Sequence, residues 1–158
     1  MSDPQRFRAS IEEFKQLIRD RFRQVAVEFV QDVSEAVIEA TPYHTGNMRS
    51  SWYAQLNQVP QGTGAEMSSV AAQINIGDTF YAVNGARYAW WVEFGTKAHV
   101  INVKNKKALH WVADGRDYFA TSVRHPGTAP TAFLRNTMAR GPEIAAAVIE
   151  RVKSGSGS

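Results

Sequence analysis

The stretch "SIEEFKQLIRDRFRQVAVEFVQDVSEAVIEATP", residues 10–42, decides the fold. Ile11, Phe14, Ile18, Phe22, Val25, Phe29, Val33, Ala36 and Ala40 recur at steps of three and four, and Phe7 extends the series backwards. A mean period near the helical 3.6 places them on one stripe. Ser10 with Glu13 has capping-box spacing, and Asp3-Pro4 offers an earlier start. Pro42 pushes Thr41 out of helical dihedrals and ends the helix. The spacing predicts a helix over 10–40, about 46 Å long. A compact domain of this size is only about 39 Å across. Either one end projects, or the stripe is shared with another subunit. The charge is divided too. Arg6, Arg8, Lys15, Arg19, Arg21 and Arg23 crowd the first half, and Glu28, Asp32, Glu35 and Glu39 follow.

The remaining composition frames this helix. With 158 residues, 44% hydrophobic and 21% charged, the chain reads as one globular domain over 1–153. It contains no cysteine, which excludes disulfides, thiolate nucleophiles and cysteine-based metal sites. "MSDPQRFRAS" lacks the apolar core of a signal peptide, and no run approaches 18 apolar residues. The expectation is a soluble chain made in the cytoplasm, with no membrane partner. A formal charge of +3 permits an acidic partner without demanding one.

Beyond Pro42 the pattern is mixed. Thr45-Gly46 reads as a turn, Asn47–Trp52 as a helical turn, and 52–59 as a strand. Ile74 and Ile76 alternate with polar neighbours, which predicts a strand over 70–77. "YAWWVEF", 88–94, reads as a short helix ending at Gly95, with Tyr88, Trp91 and Val92 on one side and Trp90 and Phe94 on the other. Both sides demand burial, one on a sheet and one under a loop or a neighbouring subunit. A strand at 99–104 is expected to turn at "KNKK" and return as "ALHWV", 108–112, making His99 and His110 cross-strand neighbours. "ADGRDYF" reads as a loop, a helical run begins at Thr131, and Pro142 opens a last helix. "SGSGS", 154–158, reads as a flexible tail. The sum is an α+β fold. A long N-terminal helix packs on a small antiparallel sheet (52–112), with a loop and short helices over 124–153.

Candidate chemistry is sparse. Glu93, between Trp91 and Phe94, would serve as a general acid only with a base or nucleophile tied to it, and none is. It reads as a structural carboxylate, satisfied by an arginine such as Arg49 or by the backbone N–H groups of the Gly95–Thr96 turn. His44, His99, His110 and His125 show no i, i+4 pair, so no metal site is expected. "TGNMRSS" lacks the glycine spacing and lysine of a phosphate loop. "KNKK" reads as a solvated tip rather than a phosphate-binding patch. "HPGTAP" reads as a rigid connector that also carries contacts, since Pro126 and Pro130 each fix a φ angle.

Three separated stretches resemble one family in order and spacing. "TPYHTGNMRSSW" (41–52) resembles T-P-x-x-T-G-x-(Leu/Met)-R-x-S. "YAWWVEFGTKAHVINVKNKKALHW" (88–111) resembles Y-A-x-x-V-E-F-G-T followed by H-x-I and K-K-A-L. "VRHPGTAPTAFLRNTM" (123–138) resembles H-P-G-T-x-P-x-x-F-L. The family is the neck or tail-completion proteins of long-tailed bacteriophages, also described as head–tail joining or minor tail proteins. Tyr43-His44 departs from its more usual aliphatic–acidic pair, and the aromatic load at 90–91 is heavy.

The resemblance implies a non-enzymatic virion subunit without cofactor or metal, assembled in the host cytoplasm. It implies a homo-oligomeric ring between the capsid connector and the tail. Its partners would be head-closure, tail-terminator or tail-tube proteins, with genomic DNA passing through the channel unbound. A tail-tube terminator ring, a DNA-binding protein and a Glu93/His99 hydrolase are the alternatives. Phe14, Ile18, Phe22, Tyr88, Trp90, Phe94, His125 and Pro126 are the expected interface residues. Thr45, Gly46, Arg49, Glu93, Gly95, Thr96 and Gly127 are the expected structural ones.

Overall fold

The computed structural model describes residues 3–155. It divides into two compact units, Met1–Arg87 with Phe133–Ser158, and Tyr88–Ala132. The first unit is built on α1 (Asp3–Ala40), 38 residues and about 57 Å of helix. The helix already includes Asp3, the first described residue, well before the expected capping box. Ser10 is interior, and its Oγ donates to the Arg6 carbonyl at 3.0 Å. The end falls where Pro42 requires. Thr41 is fully buried there, donating from Oγ1 to the Val37 carbonyl at 2.7 Å and accepting from Trp52 Nε1 at 2.9 Å.

After a short α2 (Asn47–Ser50) come β1 (Trp52–Leu56), α3 (Met67–Ala71) and β2 (Phe80–Asn84). β1 and β2 form an antiparallel ladder, from Trp52 opposite Asn84 to Leu56 opposite Phe80. The strand expected over 70–77 is not formed. Met67, Val70, Ala71 and Ile74 are buried at steps of three, one and three, which is a helical face, while Ile76 is 61% exposed. The Ile74–Ile76 alternation was a coincidence of two residues. The helical spacing runs instead over the eight residues 67–74.

The chain returns to this unit as α5 (Phe133–Ala139) and α6 (Gly141–Ser154), the latter with Pro142 in its first turn. The run expected from Thr131 begins two residues later, because Ala132 takes a positive φ of 52°. Residues 156–158 of the expected tail lie outside the described residues, and Ser154 still belongs to α6. The second half of α1 packs against α3, α5 and α6. Ile38, Trp52, Leu56 and Phe80 close over buried Ala54, Met67 and Val70, which seats the helix on the small sheet. Val148 and Val152 of α6 are buried, and Trp52 meets Phe133 edge-on at 6.5 Å.

Arg151 ties α6 to α1, reaching Glu28 at 2.8 Å and Asp32 at 3.0 Å. The Arg151 hydrogen bond, helped by Gln24, holds the Glu28 carboxyl below the usual carboxylate range. A lowered carboxylate adds stability above its unfolded value, about 4.3, and loses it as pH falls through the folded value. The melting temperature of the wild type should therefore fall more steeply below about pH 5 than that of Arg151→Gln. The difference is modest because the pair is partly solvated. Parallel slopes in thermal melts across this range would contradict the tie.

The second unit holds α4 (Ala89–Phe94), β3 (His99–Asn102), β4 (Leu109–Ala113), β5 (Arg116–Ala120) and β6 (Ser122–His125). The hairpin expected at "KNKK" is replaced by two other ladders. β3 pairs with β6, and β4 with β5. His99 accordingly faces His125, not His110, with ring centroids 5.1 Å apart. The "ADGRDYF" segment is the actual hairpin. Asp114 (φ 50°) and Gly115 (φ 70°) form a two-residue turn with both φ positive, the geometry whose twist matches paired strands.

Candidate assembly surfaces

In the second unit, two of the quoted motifs meet in space. "EFGT" (93–96) and "HPGT" (125–128) lie side by side. Thr96 and Thr128 exchange both backbone hydrogen bonds, at 2.9 and 3.1 Å, and Thr128 N also donates to Thr96 Oγ1 at 3.0 Å. Thr131 and Ala132 then donate backbone N–H groups to the Val92 and Glu93 carbonyls at 3.0 and 3.1 Å, satisfying the open end of α4. Both glycines are required by the approach. A Cβ on Gly95 (φ 73°) would overlap the Thr128 carbonyl oxygen, and one on Gly127 (φ 92°) would overlap that of Thr96. His125 orients the turn by accepting from Gly127 N at Nδ1, 3.1 Å away. His99 Nδ1 sits 2.8 Å from the Lys97 carbonyl and therefore carries the proton. Pro126 is exposed beside this clasp.

The aromatic segment inverts the usual burial. Glu93 is 5% exposed, the one buried residue of α4. Trp90 is 67% exposed and Trp91 54%, and Tyr88 and Phe94 are exposed as well. Burial was expected on both sides of this helix, and Trp91 lies outside all the same. Trp90 and Phe94, one helical turn apart, pack against each other with ring centroids 4.2 Å apart and planes tilted by 41°. Trp90 and Trp91 border an open cleft of about 690 Å³ whose other walls include Lys97, His99, Ile101 and His125. The β4–β5 hairpin adds exposed Val112 and Phe119, with Trp111 stacked across the ladder on Tyr118.

The second apolar surface is the first half of α1. Phe7, Phe14 and Phe22 are each more than 60% exposed, and Ile11, Leu17 and Ile18 are exposed beside them. Periodicity identified this stripe, and the structure leaves its N-terminal part uncovered.

The expected structural residues divide between the units. Gly46 takes φ 81° in the loop after α1, next to exposed Thr45. Arg49 turns back to α1, donating to the Thr41 carbonyl at 2.7 Å and the Glu39 carbonyl at 2.9 Å, with Tyr43 stacked against its guanidinium. The "TPYHTGNMR" motif is thus a helix terminator in which a cation meets the negative end of the helix dipole. What sequence reasoning missed is an apolar groove in the first unit. It is lined by Phe29, Val33, Trp52, Phe80, Ala82 and Met138 among others, with a volume of about 430 Å³. The strand β2, whose place went unrecognised, supplies one wall.

Exposed apolar surface of this extent marks an interaction site. A family model described as "Bacteriophage HK97-gp10, putative tail-component" matches residues 5–95. The match runs from the first turn of α1 to the glycine that ends α4. The chain belongs to this HK97-gp10-like family of bacteriophage tail components. No curated protein and no solved structure matches it. Among the described residues, no helix is long and apolar enough to cross a membrane.

Proposed function

We propose that the chain is a non-enzymatic subunit of a ring at the head–tail junction, joining the capsid connector to the tail and leaving a channel for DNA. The observation that carries this reading is the uncovered apolar stripe of α1, continuous with the part of the same helix that is packed. Such a stripe in water is unfavourable at roughly 25 cal/mol per Å² of apolar surface, and association removes it. A heterologous contact repeated by rotation closes into a ring. Tail membership supplies the setting, and capsid-side and tail-side proteins are its neighbours.

A ring that passes DNA must not grip it. Every phosphate neutralised by Lys or Arg adds salt-dependent affinity. The exposed "KNKK" tip between β3 and β4 and the basic start of α1 therefore face protein or solvent. The test has two arms. Labelled subunits in intact particles should appear at the head–tail junction. Free duplex should bind weakly and be released as salt rises. Label along the tail tube or at its distal end, or tight salt-resistant binding lost in Lys106→Glu/Lys107→Glu, would overturn the proposal.

A further inference from the structure

We propose that the His99–His125 pair makes the clasp between "EFGT" and "HPGT" acid-sensitive, closed while His125 is neutral and released when His125 takes a proton. Each ring has one nitrogen committed to the backbone, and the two commitments are opposite in kind. His125 Nδ1 accepts from the Gly127 N–H at 3.1 Å, which needs a lone pair there and leaves the ring proton on Nε2. His99 Nδ1 donates to the Lys97 carbonyl at 2.8 Å, so its lone pair is on Nε2. A proton added to His99 therefore goes to Nε2 and breaks no bond. A proton added to His125 can go only to Nδ1, where it turns the acceptor into a second donor facing the Gly127 N–H. Gly127 has no room to back away. It sits at φ 92° against the Thr96 carbonyl, and its neighbour Thr128 is held by both hydrogen bonds of the bridge.

The surroundings offer a charged His125 no counter-ion. β3 presents His99 directly opposite, with ring centroids 5.1 Å apart. α4 presents Trp90 and Trp91, while its carboxylate, Glu93, is buried and is not part of the cleft wall. The segment between α4 and β3 presents Lys97. Arg124, the neighbour on β6, alternates to the other face of the strand. Among the described residues, the cleft wall thus holds one ammonium, two imidazoles and no carboxylate. Two charged rings beside Lys97 push one another apart rather than hold the clasp shut. His110 lies on the other ladder, bonded to Asp117, and a proton strengthens that bond, so it supplies no release in acid.

The sign of the effect follows from linkage. The closed form requires the neutral His125 ring, and the open form takes up the proton freely. The clasp is at full strength above the range in which imidazoles titrate, and weakens as pH falls through it. With an imidazole titrating near 6.5 in the open form, going from about pH 7.5 to about pH 5.5 should lower the ratio of closed to open clasp by about tenfold.

His125→Asn separates the hydrogen bond from the titration. Asparagine carries a carbonyl oxygen in the place of Nδ1, makes the same bond to the N–H two residues on, and does not ionise. The readout is amide hydrogen exchange, taken as protection factors so that the intrinsic pH dependence of exchange cancels. In the wild type, Thr96 and Thr128 should lose protection by about tenfold over this range, in step with the NMR titration of the His125 ring, while the buried part of α1 keeps its protection. His125→Asn should hold its protection across the range. His125→Ala should be less protected than the wild type already at pH 7.5. At that pH the ring nitrogen shifts should show the proton on Nε2 of His125 and on Nδ1 of His99. Wild-type protection that does not change with pH would sink the proposal, as would a loss of equal size in His125→Asn. Should His125→Asn fail to close at pH 7.5, the wild-type titration decides alone. A proton on His125 Nδ1 at pH 7.5, or a loss of protection that follows His99 or His110 instead of His125, overturns the proposal.

Discussion

Gly127→Ala should open the clasp between "EFGT" and "HPGT", with a loss on the order of 3 kcal/mol or more. The residue sits at φ 92°, where a side chain costs roughly 1–2 kcal/mol by itself. The added Cβ also overlaps the Thr96 carbonyl oxygen and lies 3.0 Å from Ala98 N. Those atoms are backbone held by the Thr96–Thr128 bridge, so no side-chain rotation relieves the overlap. Hydrogen exchange is the direct measurement. Amides of Thr96, Thr128, Thr131 and Ala132 should lose protection while those of the buried part of α1 keep it. Gly115→Ala is the control, at φ 70° but with open space around the new methyl, and should cost only about 1 kcal/mol. Unchanged protection in Gly127→Ala would refute the clasp.

Met67→Ala should destabilise the protein by about 2–5 kcal/mol, whereas Trp91→Ala should cost less than about 1 kcal/mol. Met67 is 2% exposed at the centre of the packing between α1, α3 and β1, and its truncation leaves a cavity. Trp91 is larger but 54% exposed, so its truncation removes little that folding had buried. Urea denaturation of both variants decides the ranking. The reverse order would mean that the aromatic segment belongs to the core, as its composition alone implies.

That reversal shows where the sequence was legible. The long helix was readable because nine apolar residues over thirty positions leave one period that fits, and Pro42 punctuates its end. Helix α4 and its stop at Gly95 were readable for similar reasons. Which side of α4 meets protein was not, since aromatic residues on every side carry no phase. The partners of β3 and β4 were equally hidden. Strands of four or five residues have several alternative pairings of similar quality, and the tie was broken by Asp114-Gly115, a stronger turn signal than "KNKK". The clasp was half visible. Both glycine motifs stood out, but their contact depends on a ladder 32 residues apart in sequence, and no local pattern encodes it. The groove was invisible, because its walls come from α1, β1, β2, α3 and α5 and exist only once those elements meet.

The ladder of β3 and β6 has a consequence for how such a subunit can diversify. Val103 N donates to the Thr121 carbonyl at 3.0 Å, so the chain leaves and re-enters the ladder at nearly one point. Everything from 104 to 120 is an arm whose ends are already fastened. Lengthening a loop whose ends are held costs little, about 0.6 kcal/mol for each doubling. The arm is therefore an insertion port. A peptide tag or a small folded module placed between Asp114 and Gly115 changes what the subunit displays while the clasp beneath it stays closed.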